Sequence, residues 1–159
     1  MPATVHQISV SRGGVPKLPV RSARVSVEGV EGDVQNDRKH HGGPDRAVCL
    51  LPLSLIERLQ SEGHPIVPGS TGENLTLAGI TPDEWAGITP GVKLAFAGGV
   101  RLEIATYCSP CSTIRDSFRG LEFKRICQKL NPGNSRLYAR VLLEGTIQAG
   151  ESATIEAPQ

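Results

Sequence analysis

No stretch of the chain approaches the ~18 consecutive apolar residues that cross a bilayer as a helix. The opening, MPATVHQISVSRGG, alternates polar and apolar residues and has no hydrophobic h-region, so no signal peptide is expected. Charge of one sign is lacking as well. Seventeen Lys and Arg stand against sixteen Asp and Glu, a net charge of +1. Such a balance gives no general field for nucleic acid, so neither a nucleic-acid nor a membrane partner is expected. There is no internal repeat, low-complexity tract or linker, and one domain over residues 1–159 is expected. The zinc-protease HExxH, the Gly-x-Ser-x-Gly elbow and the dinucleotide fingerprint are all missing. Without an export signal, four cysteines read as cytoplasmic thiols rather than a disulfide framework.

Turn-forming residues are abundant instead. Eighteen glycines and twelve prolines make up 30 of the 159 residues, nearly a fifth, against a usual share of about 12%. That excess predicts short elements and tight turns. Residues 3–10 and 22–28 read as strands; in the second, Ala23, Val25 and Val27 alternate with polar neighbours. Ala47–Leu51 is a continuous apolar run, the mark of a buried strand. Ser54-Leu55-Ile56-Glu57 has the spacing of a capping box opening a short helix, which Gly63 and Pro65 stop. Residues 68–79 read as a turn feeding a strand, and Thr81-Pro82-Asp83-Glu84 as the start of a helical turn. Ala97-Gly98-Gly99 joins two strand patterns into a hairpin with Val100, Leu102 and Ile104 inward. Residues 112–130 read as helical, in two pieces broken near Gly120, and Arg136–Leu143 and Ala153–Glu156 as the last strands. The fold class expected is mainly β (β-rich α+β): a closed or partly closed β-barrel, or a sandwich, with two or three short helices.

Three segments can carry chemistry. Tyr107-Cys108-Ser109-Pro110-Cys111-Ser112 stands where a predicted strand ends and a predicted helix begins. A thiol at a helix N-terminus is favoured as thiolate, the form that attacks sulfur, carries a persulfide or binds a soft metal. Cys108 and Cys111 could also close a small disulfide or chelate zinc, and the plainer reading is two half-buried small residues at a turn. The second segment is the polar, Gly-rich loop of residues 29–46. Within it Arg38, Lys39 and Arg46 can hold phosphate, His41 can act as base, donor or ligand, and Gly42 and Gly43 let backbone approach a ligand. Taken singly, either histidine reads as solvated; charge, glycine and imidazole together read as a site. The third is Gly69-Ser70-Thr71-Gly72-Glu73-Asn74-Leu75, which could offer backbone N–H groups to an anion but lacks the Gly-Lys-Ser/Thr ending of a phosphate-binding P-loop. Cys49 and Cys127 read as core residues. A zinc site from His40, His41, Cys108 and Cys111 is unspecific at this sequence separation.

In order, GVEGDVQNDRKHHGGPDRAV (29–48), PGSTGENL (68–75), SPCSTI (109–114) and RLYARVLLEGTIQAGE (136–151) resemble the MOSC family, named for the C-terminal domain of molybdenum cofactor sulfurase. The likeness is to the small stand-alone bacterial members. It implies a β-barrel fold and molybdenum-cofactor (molybdopterin) chemistry. Cys111 would carry sulfur as a persulfide, received from a pyridoxal-phosphate-dependent cysteine desulfurase, or would ligate molybdenum; pyridoxal phosphate would enter only through that partner. A molybdoenzyme or an electron-transfer protein is the other implied partner. The family's site positions fall on Cys111, on His41, Gly42 and Gly43 with Asp45 and Arg46, and on Gly72, Glu73 and Asn74. Relatives often carry arginine where Cys108 stands, so this chain loses one anion contact and gains a thiol. Two readings compete: a thiol–disulfide redox protein using Cys108 and Cys111, and a non-enzymatic zinc- or ligand-binding module.

Overall fold

The structure is a computed structural model that describes residues 1–34 and 42–157. Strands dominate: β1 (Pro2–Val10), β2 (Leu18–Val20), β3 (Ser22–Ser26), β4 (Gly29–Val30), β5 (Val48–Pro52), β6 (Leu75–Ala78), β7 (Lys93–Phe96), β8 (Arg101–Cys108), β9 (Arg136–Leu143), β10 (Gly145–Gln148) and β11 (Ser152–Glu156). Two α-helices are present among the described residues, α1 (Leu53–Ser61) and α2 (Pro82–Ala86).

Seven strands close into a barrel in the order β1-β11-β7-β8-β9-β5-β6. Closure comes from β1, which divides one edge between two partners. Pro2–Thr4 pair with β11, and Ile8–Val10 pair with the short β2. Its opposite edge pairs with β6 through a bulge between Val5 and Gln7. The extra residue shifts the side-chain phase, so Ala3 and Val5 face inward before it and Ile8 after it. Strands β10, β3 and β4 form a smaller sheet alongside. The β5–β6 pair is parallel, as a crossover through α1 requires.

The barrel interior is filled from alternate positions. Val48 and Leu50 of β5, Leu137, Ala139 and Val141 of β9, and Leu102 and Ile104 of β8 share one buried cluster. The same period-2 rule sends Cys49, Leu51, Arg136, Tyr138 and Arg140 to the outer face. A second apolar cluster covers part of that face. Leu51 meets Leu55, Ile56 and Leu59 of α1, with Ile66, Ile114, Phe118 and Ile126 from later segments.

Two expectations about helical segments are corrected. The 112–130 segment is broken at Gly120 as expected, but its helical pieces are not α-helices. It forms 3₁₀ turns over Ser112–Ser117, Arg119–Leu121 and Phe123–Ile126. Gly120 and Leu121 both take left-handed φ (62° and 59°), which breaks any i→i−4 ladder. Packing Ile114, Phe118 and Ile126 onto α1 prevails over local propensity. The Ser54 capping box is absent as well. The helix starts earlier, with Pro52 as N-cap, and Ser54 Oγ donates to the Ile80 carbonyl at 2.5 Å. The capping box at Thr81 is present: Thr81 Oγ1 accepts from Glu84 N–H (3.1 Å), and Glu84 Oε1 accepts from Thr81 N–H (2.9 Å).

Candidate functional site

Cys111 lies just past the end of β8, as N-cap of the 3₁₀ turn Ser112–Ser117. Its thiol is half-buried, and Sγ stands 2.8 Å from Thr113 Oγ1. Cys108 differs completely. The β8–β9 register slips between Ile104 and Thr106. Beyond the slip, Tyr107 packs against the interior cluster and Cys108 turns to the outer face. There it is 1% exposed, packed with Cys49 and Tyr138. The hydrogen bond with Cys108, which favours the protonated thiol, and then burial push Cys49 well above its ordinary pKa. Burial, reinforced by both thiols, does the same to the Tyr138 phenol. Cys127, expected in the core, is half-buried behind the last 3₁₀ turn.

The register that pairs Cys108 with Arg136 puts a guanidinium beneath the Cys111 turn. Arg136 is 5% exposed. Its Nη1 donates to the Thr71 carbonyl and its Nη2 to the Ser109 carbonyl at 3.4 Å, while Nε has no partner among the described residues. Burial disfavours the cation, but its titratable neighbours, Cys108 foremost, outweigh that and the net direction of its pKa is upward.

Glu73 organises the 69–75 turn. Its carboxylate is fully buried and accepts from Thr71 Oγ1 at 2.9 Å, from Thr76 Oγ1 at 3.5 Å and from the Gly69 N–H. Burial raises its pKa. Gly69 and Gly72 take φ of +84° and +87°; a Cβ on Gly69 would stand 2.4 Å from the Lys17 carbonyl. Asn74 is spent within the protein. Oδ1 accepts from Cys49 N–H (3.0 Å), and Nδ2 donates to the Ser9 carbonyl (3.2 Å) and Asp33 Oδ2 (3.0 Å). Glu73 and Asn74 therefore shape the turn rather than project from it.

Of the 29–46 loop, Arg38, Lys39, His40 and His41 lie outside the described residues. Both flanks are tied down. Asp33 accepts from Lys17 Nζ at 2.7 Å and from Ser11 N–H at 2.9 Å. On the other flank Asp45, 68% exposed, pairs with Arg140 at 3.0 Å, and Arg140 also binds Glu103. Arg46 is half-buried on the 3₁₀ turn Pro44–Arg46. Gly42 and Gly43 line a cleft of about 700 Å³ with Gly29, Asp33, Val34 and Ala47. A Cβ on Gly43 would meet nothing within 4 Å among the described residues, so its backbone faces that cleft. No described lining residue belongs to the Cys111 turn. Thus the structure joins the 69–75 turn to the Cys111 turn through Arg136, and to the loop's first flank through Asn74 and Asp33.

Sequence reasoning missed Arg136, Lys17 and Asp33. A signal for Arg136 existed: inward Leu137, Ala139 and Val141 imply an outward Arg136 on the strand facing the Cys108 strand. Lys17 and Asp33 carry no local signature.

A closed seven-stranded barrel with a reachable thiol at a strand end and glycine-lined turns defines the class. The MOSC domain model matches residues 37–154, and the chain belongs to the MOSC domain family. It is 32% identical over 141 residues to YflK of Bacillus subtilis (strain 168), covering 86% of this chain and 60% of YflK. It is 28% identical over 125 residues to YiiM of Escherichia coli (strain K12), covering 76% of this chain and 53% of YiiM. The chain thus spans little more than half the length of these relatives. The crystal structure of YiiM from Geobacillus stearothermophilus superposes with a TM-score of 0.75 at 26% identity, covering 98% of this chain and 75% of that one. The YuaD protein from Bacillus subtilis superposes with a TM-score of 0.81 at 13% identity, over 100% and 98% of the two chains, a likeness of fold. Family membership makes this a molybdenum-cofactor-related domain. No helix among the described residues is long and apolar enough to cross a membrane.

Proposed function

We propose that this chain binds molybdenum cofactor and that Cys111 supplies a thiolate to the metal. The observation that carries the reading is the contrast among thiols. Cys49 and Cys108 are sealed against Tyr138, whereas Cys111 is reachable on a turn held between β8 and the 69–75 segment. Among the described residues no three His, Cys, Asp or Glu side chains gather to hold a bare ion. A single soft thiolate fits a metal that arrives already ligated by its own cofactor better than it fits a free ion. When bound, the group would supply redox chemistry at the metal. Arg38, Lys39 and Arg46 would neutralise its phosphate, His41 would orient or protonate a ligand, and Gly42 and Gly43 would let it approach the backbone. The desulfurase that sulfurates such cofactors, an electron-transfer partner and a cytoplasmic location belong to the same proposal.

A thiol–disulfide role for Cys108 with Cys111 has less support, because Cys108 is buried against Cys49 and Tyr138 while the Cys111 thiol meets Thr113. The deciding experiment is metal analysis and intact mass of protein purified from cells that make molybdenum cofactor. Near-stoichiometric molybdenum that disappears in Cys111→Ser supports the proposal. A reducible mass gain of one sulfur atom on Cys111, without molybdenum, replaces it with the persulfide-carrier reading. Neither signal in the wild-type chain overturns both.

A further inference from the structure

We propose that Arg136 is the positioning residue for Cys111. Building on the reading of Cys111 as the working thiol, it assigns a role to a side chain that touches neither the thiol nor its ligand. A guanidinium this deeply buried is costly unless its donors find acceptors. Arg136 spends two of them on backbone carbonyls of different segments. Nη1 takes Thr71, and Nη2 takes Ser109, two residues before Cys111. One planar group thereby fastens the cysteine turn to the 69–75 turn.

The 69–75 side of this clamp is rigid. Thr71 is fully buried, and its hydroxyl is fixed by the equally buried Glu73. A Cβ on Gly72 would come within 4.0 Å of Arg136 Nη1 and 3.2 Å of Val15 Cγ1, so the backbone there lies close against the guanidinium. The other side is lighter. Ser109 is exposed, Pro110 has no N–H to offer, and Cys111 is half-buried. Ser117 Oγ donating to the Ser70 carbonyl at 3.2 Å is a second, neutral tie between the same segments. Position therefore passes in one direction, from Glu73 through Thr71 and Arg136 to Ser109 and the thiol. Arginine suits the task because its planar fork serves two carbonyls at once; a lysine ammonium is a point charge on a flexible stem. The cross-strand pairing of Arg136 with Cys108 places this cation one strand-end from Cys111.

The test compares wild type with Arg136→Met and Arg136→Lys, using competitive alkylation of the folded protein by iodoacetamide with peptide-resolved mass spectrometry. Cys127, also half-buried, is the internal reference. Loss of the clamp should raise the Cys111/Cys127 rate ratio about tenfold in Arg136→Met, the effect of one charge-assisted hydrogen bond on a local opening. Arg136→Lys should fall between that variant and wild type. A merely structural role would lower Tm and raise both rates together with the ratio unchanged, and that result overturns the proposal. Should Arg136→Met not fold, Arg136→Lys decides alone: an unchanged ratio overturns it. The readout needs no cofactor, so it can succeed where molybdenum and persulfide are both absent, or fail where Cys111-dependent molybdenum is found.

Discussion

Two carboxylates of this chain carry opposite pH signatures. Glu62, at the end of α1, receives both forks of Arg125, Nε to Oε1 at 3.0 Å and Nη2 to Oε2 at 2.8 Å. The Arg125 hydrogen bond, ahead of a smaller opposing effect of burial, lowers its pKa below the ordinary 4.5. A carboxylate depressed in the folded state adds stability above its unfolded pKa and loses it as pH falls through the folded value. Glu73 is raised by burial, so the folded state holds its proton more tightly. Its contribution is greatest at low pH and declines as pH rises from about 4.5 through the raised folded value. Urea midpoints followed against pH should show this directly. Glu62→Gln should flatten part of the acid-side loss seen in wild type, whereas Glu73→Gln should remove a decline on the rising side. Curves for both variants parallel to wild type would refute the assignment. Nothing local distinguishes these two glutamates; Arg125 lies 63 positions from Glu62, and the burial of Glu73 follows from the turn around it.

Elements were legible to the degree that their signals are local. The alternation of β3, the apolar run of β5 and the Gly-Gly hairpin between β7 and β8 emerge where pattern and turn chemistry place them. The Thr81 box forms because Ser/Thr-x-x-Glu geometry closes on itself within four residues. The Ser54 box has similar spacing and fails because a tertiary partner, the Ile80 carbonyl, takes the hydroxyl. Ser54→Ala should therefore cost about 1 kcal/mol. By hydrogen exchange, the loss should fall on the 80–81 turn rather than fraying the first turn of α1. Loss of protection confined to residues 53–57 would restore the capping role. The bulge in β8 was invisible beforehand, because a one-residue slip is defined only by the partner strand. It separates a Cys108 that faces Cys49 from one that would face the barrel interior, and with it goes the choice between a Cys108–Cys111 pair and a lone reachable thiol.

At the scale of the whole molecule, closure is the decisive feature. β11 pairs with β7 on one side and with β1 on the other, leaving it no free edge over Ala153–Thr154. Thr154→Pro deletes a ladder donor inside the closed ring and should cost about 3 kcal/mol or more by urea denaturation. A loss below 1 kcal/mol, within the range of ordinary surface substitutions, would show that the β7–β11 seam, toward which the Thr154 N–H points, contributes little. The same closure brings the candidate segments together. Residues 69–75, 108–111 and 136 are far apart in the chain and neighbours only because β6, β5, β9 and β8 stand side by side.

The amino-acid order by itself determined the strand-rich class, most strand positions and the family likeness, and it singled out Cys111 and the Gly-rich turns as candidates, since each rests on spacing within a few residues or on an ordered set of short motifs. Tertiary structure alone decided which thiol is reachable, that Glu73 and Asn74 point into the protein, and that Arg136 joins two turns. Those outcomes depend on register, bulges and ring closure, which are relations between strands distant in the chain and leave no mark in any one of them.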